Sequence, residues 1–233
     1  MRLDRFLAET TELTRSLAKK AMHRGEVTVN GAVVKQSATH IASDDRVEWA
    51  GQPLALVGLR YVMLHKPADV ECTARRGLYP RAVDLVDLPK AERLQPVGRL
   101  DADTTGLVLL TDDGQWAHRV TSPRKRCAKV YRATLAEALQ GEALAEAVSR
   151  FAEGFMLEGE EKPTLPAQLV MHGSHDAELT LYEGRYHQVK RMFAAIGNHV
   201  TALHRESIGP LSLGTLAQGE WRELSVDEVA AFS

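Results

Sequence analysis

Leu3, Phe6 and Leu7 recur at helical spacing, so the first ten residues predict a short amphipathic helix. A second helix is expected over residues 14–24, closed by Gly25 at its C-terminus. At about 100° per residue, Lys19, Lys20, His23 and Arg24 gather in one half of that helix, and Leu17, Ala18, Ala21 and Met22 in the other. One face is therefore expected in a core and the opposite face is basic. Residues 27–34 form two β-rich runs around Asn30-Gly31, a pair suited to a type I′ turn because both central residues need positive φ. Residues 46–49 read as a short strand, and Gly51-Gln52-Pro53 as the start of a linker reaching about Arg60.

Beyond that linker the apolar run Tyr61-Val62-Met63-Leu64 opens a larger domain. Its pattern predicts strands over residues 106–111, 130–135 and 177–181, and helices over 141–151 and 188–196. In the second helix Val189, Met192, Phe193 and Ile196 make the apolar face. This order of elements predicts an α+β fold with a mixed, largely antiparallel sheet flanked by helices and loops. The expected domains are 1–58 and 59–233, without internal repeats.

Charge changes the picture only when read by segment. The 233 residues carry 29 Lys and Arg against 31 Asp and Glu, a net charge of −2 that on average argues against a nucleic-acid binder. Yet residues 117–132 hold six basic residues and no acid, and 184–205 hold four more with none. Residues 133–161 balance them with seven acids and one Arg, so a polyanion could meet one face while the acidic helix points away. Two distant cysteines, Cys72 and Cys127, exclude a disulfide framework and a cysteine-based zinc site and read as structural thiols. The polar start, Met1-Arg2-Leu3-Asp4-Arg5-Phe6, is unlike a secretory signal. No run approaches the ~20 apolar residues of a membrane span, so a reduced cytoplasmic protein away from membranes is expected.

The stretch most informative about chemistry is residues 98–114, GRLDADTTGLVLLTDDG. A polar loop feeds an apolar strand that ends in Asp112-Asp113-Gly114, read as a turn with positive φ at the glycine. Asp101 and Asp103 lie between Arg99 and a Thr-Thr pair, just before the strand, where a carboxylate needs a partner. Three readings stand: a divalent-metal ligand pair, an acid/base pair for glycosidic cleavage, and a single nucleophilic aspartate held ionised by a cation. His187, His199 and His204 have no usual zinc spacing, and no metal site is expected.

Residues 98–114 resemble the signature of the RsuA-type pseudouridine synthases, with Gly98-Arg99-Leu100-Asp101 as the catalytic block. The resemblance extends through Lys66-Pro67, Lys129-Val130-Tyr131, the segment EGRYHQVKRM at 183–192 and Leu203-His204-Arg205, while the N-terminal unit resembles an S4 RNA-binding domain built on a helical hairpin. It implies that Asp101 attacks or deprotonates the ribose, Tyr131 stacks on the target base and Lys190 pairs with the aspartate. Leu203 would pack against the base, and Arg99 would fill the gap left by the flipped nucleotide. Arg185, His187, Gln188 and Arg205 would contact substrate. In the S4 unit Arg2, Arg5, Arg15, Lys19, Lys20, Arg24 and Lys35 would contact RNA. His65 and Asp69 depart from the family's usual Asn and Gly around the Lys66-Pro67 block.

Isomerising uridine to pseudouridine breaks the N1–C1′ bond, turns the uracil and joins C5 to C1′, so neither redox cofactor nor metal is expected. A charged carboxylate, a stacking platform and exclusion of water suffice, together with a few kcal/mol to unstack the target. The resemblance implies ribosomal RNA as the partner of a monomer, with 16S rRNA or a small-subunit assembly intermediate first and 23S rRNA as the alternative. From another class, a non-catalytic S4-type RNA-binding or ribosome-assembly protein would have no use for a buried acid.

Overall fold

The computed structural model describes residues 1–56 and 58–232. Two compact units divide the chain, Met1–Gly58 and Leu59–Ser233.

In the first unit α1 (Leu3–Thr10) and α2 (Arg15–His23) pack over a four-stranded sheet. The Thr14 hydroxyl caps α2 by accepting from the Leu17 amide, and Gly25 follows in the left-handed region at φ 76°. Ala18, Ala21 and Met22 are buried with Leu3, Phe6 and Leu7, whereas Leu17 is exposed, against expectation. Leu17 stands at the edge of the apolar arc, about 90° from its centre, and the core closes without it.

β1 (Val27–Val29) and β2 (Ala32–Val33) join through Asn30 and Gly31 at φ 52° and 82°, as a type I′ turn requires. β3 (Val47–Trp49) pairs with β1 and also with β4 (Gln52–Leu54), giving the order β2-β1-β3-β4. The linker therefore does not begin at Gly51. Ala50 and Gly51, at φ 50° and 78°, make a second tight turn that folds the next three residues back as an edge strand. Pro53 is tolerated there because an edge strand need not donate on its outer side.

The larger unit runs through β5 (Tyr61–Lys66), β6 (Gln95–Val97), β7 (Thr105–Thr111), α3 (Gly114–Thr121), β8 (Lys129–Leu135) and α4 (Gly141–Glu153). It continues through β9 (Gln168–Met171), β10 (Asp176–Leu181), α5 (Gln188–Ala194), β11 (Val200–Ile208), β12 (Leu211–Ser212), β13 (Trp221–Glu223) and α6 (Val226–Ala230). The sheet order is β13-β5-β7-β11-β8-β10-β9, with β6 added on β7 and β12 on β11. Every pairing is antiparallel except β7 with β11, so the sheet is mixed and largely antiparallel.

β7 is apolar without alternation because both its faces are covered. Val108 and Leu110 join one core cluster and Leu107 and Leu109 the other, which also contains Trp116, Val120 and Phe232. Gly106, at φ 116°, lies where β7 meets β11. A Cβ there would sit 2.3 Å from the Arg205 carbonyl oxygen, so only glycine permits this approach. Asp112-Asp113-Gly114 is not the expected turn, since Gly114 begins α3 without a positive φ. The Asp113 carboxylate instead caps the helix, accepting from the amides of Gln115 and Trp116, while Asp112 accepts from the Arg60 amide and pairs with Arg93.

Candidate active site

The loop between β6 and β7 carries Asp101, and its position is fixed from below. Lys66, at the end of β5, is fully buried and donates from Nζ to the carbonyls of Pro67, Val70 and Ala102 at 2.8, 2.8 and 3.2 Å. Burial pushes its ammonium below the usual lysine range. The Asp69 amide donates to the same Ala102 carbonyl at 2.8 Å. Asp69 holds φ 59°, a left-handed conformation for which Asp is a tolerable substitute for Gly.

Above the loop, α5 presents Lys190. Its Nζ donates to Asp101 Oδ2 at 3.1 Å and to both carboxylate oxygens of Asp103, at 2.8 and 3.0 Å. Against the pull of burial, the hydrogen bonds it donates to Asp103 and Asp101 hold the Lys190 ammonium above the usual lysine range. The same bond to Lys190 holds the Asp103 carboxyl below the usual carboxylate range. His187 adds a second contact, its Nε2 lying 3.2 Å from Asp101 Oδ1.

These groups open on a cleft of about 500 Å³ lined by Arg99, Asp101, Tyr131, Lys190, Leu203 and Arg205, among others. That volume suits a small ligand or a single extruded nucleotide. Tyr131 and Arg205 are register partners on β8 and β11. Leu203 and Arg205 are two apart on one strand and share a face, whereas His204 turns to the other. There His204 Nδ1 lies 2.8 Å from the Thr105 hydroxyl and its ring meets His65 edge-on at 5.4 Å.

Arg205 donates from Nε to the Leu107 carbonyl at 2.8 Å and from Nη1 to the Tyr131 hydroxyl at 3.4 Å. Its buried Nη2 has no partner among the described residues. Cys72 also lines the cleft, and burial pushes its thiol up, away from the reactive thiolate.

Arg185 and Gln188 border the cleft with their polar groups committed to the protein. The Arg185 guanidinium bonds Glu183, Glu160 and the carbonyls of Lys162 and Pro163. Gln188 accepts from the Arg185 amide and donates to Glu183. Both brace the loop that holds His187. Arg191 joins them by donating to Glu160 and to the Tyr186 and Glu158 carbonyls. Glu160 belongs to the acidic stretch expected to point away, yet it closes on the arginines of the site. Glu160 is not legible as a brace in the sequence because its partners lie beyond any local pattern, whereas Glu183 stands two residues before Arg185, a spacing that offers a cue.

In the N-terminal unit Arg2, Arg5 and Arg24 pair with Asp4, Glu9 and Glu26. Arg15, Lys19, Lys20 and Lys35 make no ion pair among the described residues and are exposed.

Residues 60–195 match the family of RNA pseudouridylate synthases, and residues 1–47 match the S4 domain. Proteins named ribosomal small subunit pseudouridine synthase A are similar over essentially their whole length. The one from Pasteurella multocida is 48% identical with 100% of both chains covered, and that from Escherichia coli K12 is 44% identical with 99% of both covered. A solved structure described as a pseudouridylate synthase superposes with a TM-score of 0.69 at 44% identity, covering 100% of each chain. The chain belongs to the RNA pseudouridylate synthase family. The synthase is thus an isomerase that converts uridine to pseudouridine in RNA.

Proposed function

We propose that this synthase modifies a uridine of 16S rRNA, with Asp101 as the reacting carboxylate. The observation that carries the reading is that Asp101 lines the cleft. Lys190 lies on one of its oxygens, and Tyr131 and Leu203 line the same space. The small-subunit target rests on the names of full-length relatives such as those from Pasteurella multocida and Escherichia coli.

In this reading the target uridine leaves its stack and its base lies between the Tyr131 ring and the Leu203 side chain. Asp101, hydrogen-bonded by the Lys190 ammonium, attacks C1′ or removes the C2′ proton as the N1–C1′ bond breaks. The uracil turns and C5 bonds C1′ as the Asp101–C1′ bond breaks or the C2′ proton returns; the C5 proton then leaves, and N1 takes up a proton from solvent. Arg99 occupies the gap in the strand. Residues 1–58 form the S4 RNA-binding domain and grip flanking rRNA through Arg15, Lys19, Lys20 and Lys35, with Arg2, Arg5 and Arg24 contributing around their ion pairs. Residues 59–233 carry the chemistry. The enzyme acts as a monomer in the cytoplasm, on free 16S rRNA or an assembling small subunit.

Pseudouridine mapping in rRNA from cells lacking this protein tests the target. One 16S position should become unmodified uridine and be restored by the wild-type chain but not by Asp101→Asn. A lost site in 23S rRNA would favour the alternative within the family, and unchanged rRNA would contradict both.

A further inference from the structure

We propose that Tyr186 and His187 form a stacking shelf for an unpaired base next to the target uridine, a subsite that rests on the synthase reading above. Tyr186 is the one exposed Phe, Trp or Tyr among the described residues, with 69% of its surface open. One face of its ring lies against the His187 imidazole, centroids 3.7 Å apart and planes 21° from parallel. The other face is uncovered. Both residues line the cleft that holds Asp101, and His187 Nε2 lies 3.2 Å from Asp101 Oδ1. The open ring is therefore one side chain removed from the reacting carboxylate, at the mouth rather than the floor.

Two further features fit a base rather than a protein partner. The shelf is held rigid before any ligand arrives, because Arg185 and Arg191 tie its loop to Glu160, and Arg191 also donates to the Tyr186 carbonyl. His187 keeps φ 48° in that braced loop. Preorganised rings lose little freedom on binding, and an aromatic face stacks on any base without reading its sequence. The exposed Arg99, which lines the same cleft, suits a phosphate beside a stacked nucleotide. Extruding a uridine leaves its neighbour without a stacking partner, and an open aromatic ring at the cleft mouth replaces what is lost.

The test compares Tyr186→Ala, Tyr186→Phe and Tyr186→Trp with wild type, using 16S and 23S transcripts tritiated at uridine C5. On the transcript that wild type isomerises, Tyr186→Ala should raise KM about tenfold, the typical effect of removing one stacking ring, with KM moving more than kcat. Tyr186→Phe and Tyr186→Trp should restore it, since a merely structural hydroxyl would not be replaced by either. Ultraviolet cross-linking of the full chain to the same transcript should leave a nucleotide on the peptide containing Tyr186 and His187. A KM within twofold of wild type for Tyr186→Ala, a Phe variant as weak as Ala, or no adduct on that peptide would each overturn the shelf. Activity on 23S alone rejects the 16S target and moves the comparison to that transcript. Activity on neither rejects the target reading as a whole, and cross-linking to the 16S transcript then decides the shelf alone.

Discussion

Lys190 donates to Asp101 and Asp103 together, yet the two carboxylates stand differently. The Asp103 side chain is 73% exposed and lies outside the cleft lining, while that of Asp101 is 29% exposed and within it. In the proposed reading Asp103 holds the ammonium, and Asp101, the one of the two that lines the cleft, is the reacting acid. Lys190→Met should lower single-turnover tritium release by roughly tenfold to a hundredfold, the scale of one charge-assisted hydrogen bond. Lys190→Arg keeps the charge and should lose less. A Met variant as fast as wild type would remove the cation from the mechanism. His204 gives a prediction of another kind. Burial, and then the neighbouring His65, push its imidazole below the usual histidine range. The unfolded chain thus binds a proton that the folded chain refuses. The contribution of His204 is present above its ordinary pKa of about 6.5 and is lost as pH falls towards the lower folded value. Urea midpoints at pH 5.5 and 7.5 should differ for wild type, and His204→Gln should narrow the gap whatever its effect at either pH. An unchanged gap would contradict this.

Elements were legible where their signals were local. α2 and the Asn30-Gly31 hairpin follow from short-range rules of capping and positive φ, and they stand where the pattern puts them. β4 was hidden because Pro53 and Gly51 read as linker chemistry, and only pairing with β3 makes them strand and turn. α3 was hidden because Asp112-Asp113-Gly114 satisfies both a turn and a helix start; Trp116 and Val120, packed in a core of distant residues, decide between them. β11 has no clean alternation in its sequence because register shifts between Val200 and Ala202 and between Arg205 and Ser207 break the period of two. The parallel contact of β11 with β7 was equally invisible, although Gly106 marks it. Gly106→Ala would place a methyl against the Arg205 backbone in a conformation hostile to side chains. A loss on the order of 3 kcal/mol is expected, measured by urea unfolding of the full chain. Near-wild-type stability would mean that the two strands can part there without consequence.

At the scale of the whole molecule, near-neutral charge concealed a division of labour. The S4 unit leaves Arg15, Lys19, Lys20 and Lys35 exposed and outside its ion pairs among the described residues, whereas Glu160, after α4, pairs with Arg185 and Arg191. Composition predicted the segregation of charge, but not that Glu160 would serve as a brace. Of the site, the residues within one motif were readable through their resemblance to the family. The braces joining residue 160 to residues 185 and 191 were not, because only the tertiary fold brings them together. Replacing Arg15, Lys19, Lys20 and Lys35 with Gln should weaken rRNA binding and flatten its salt dependence, by about 0.7 in the logarithmic slope for each phosphate no longer neutralised. Replacing Arg2, Arg5 and Arg24 should do less, since each already faces an acid. Equal effects from the two sets would contradict this division.

Release of tritium from uridine C5 of rRNA by wild type, Asp101→Asn and Asp103→Asn bears most directly on the chemistry. Release by wild type, none by Asp101→Asn with RNA affinity retained, and measurable release by Asp103→Asn is the predicted pattern. Wild-type release by Asp101→Asn would contradict the account.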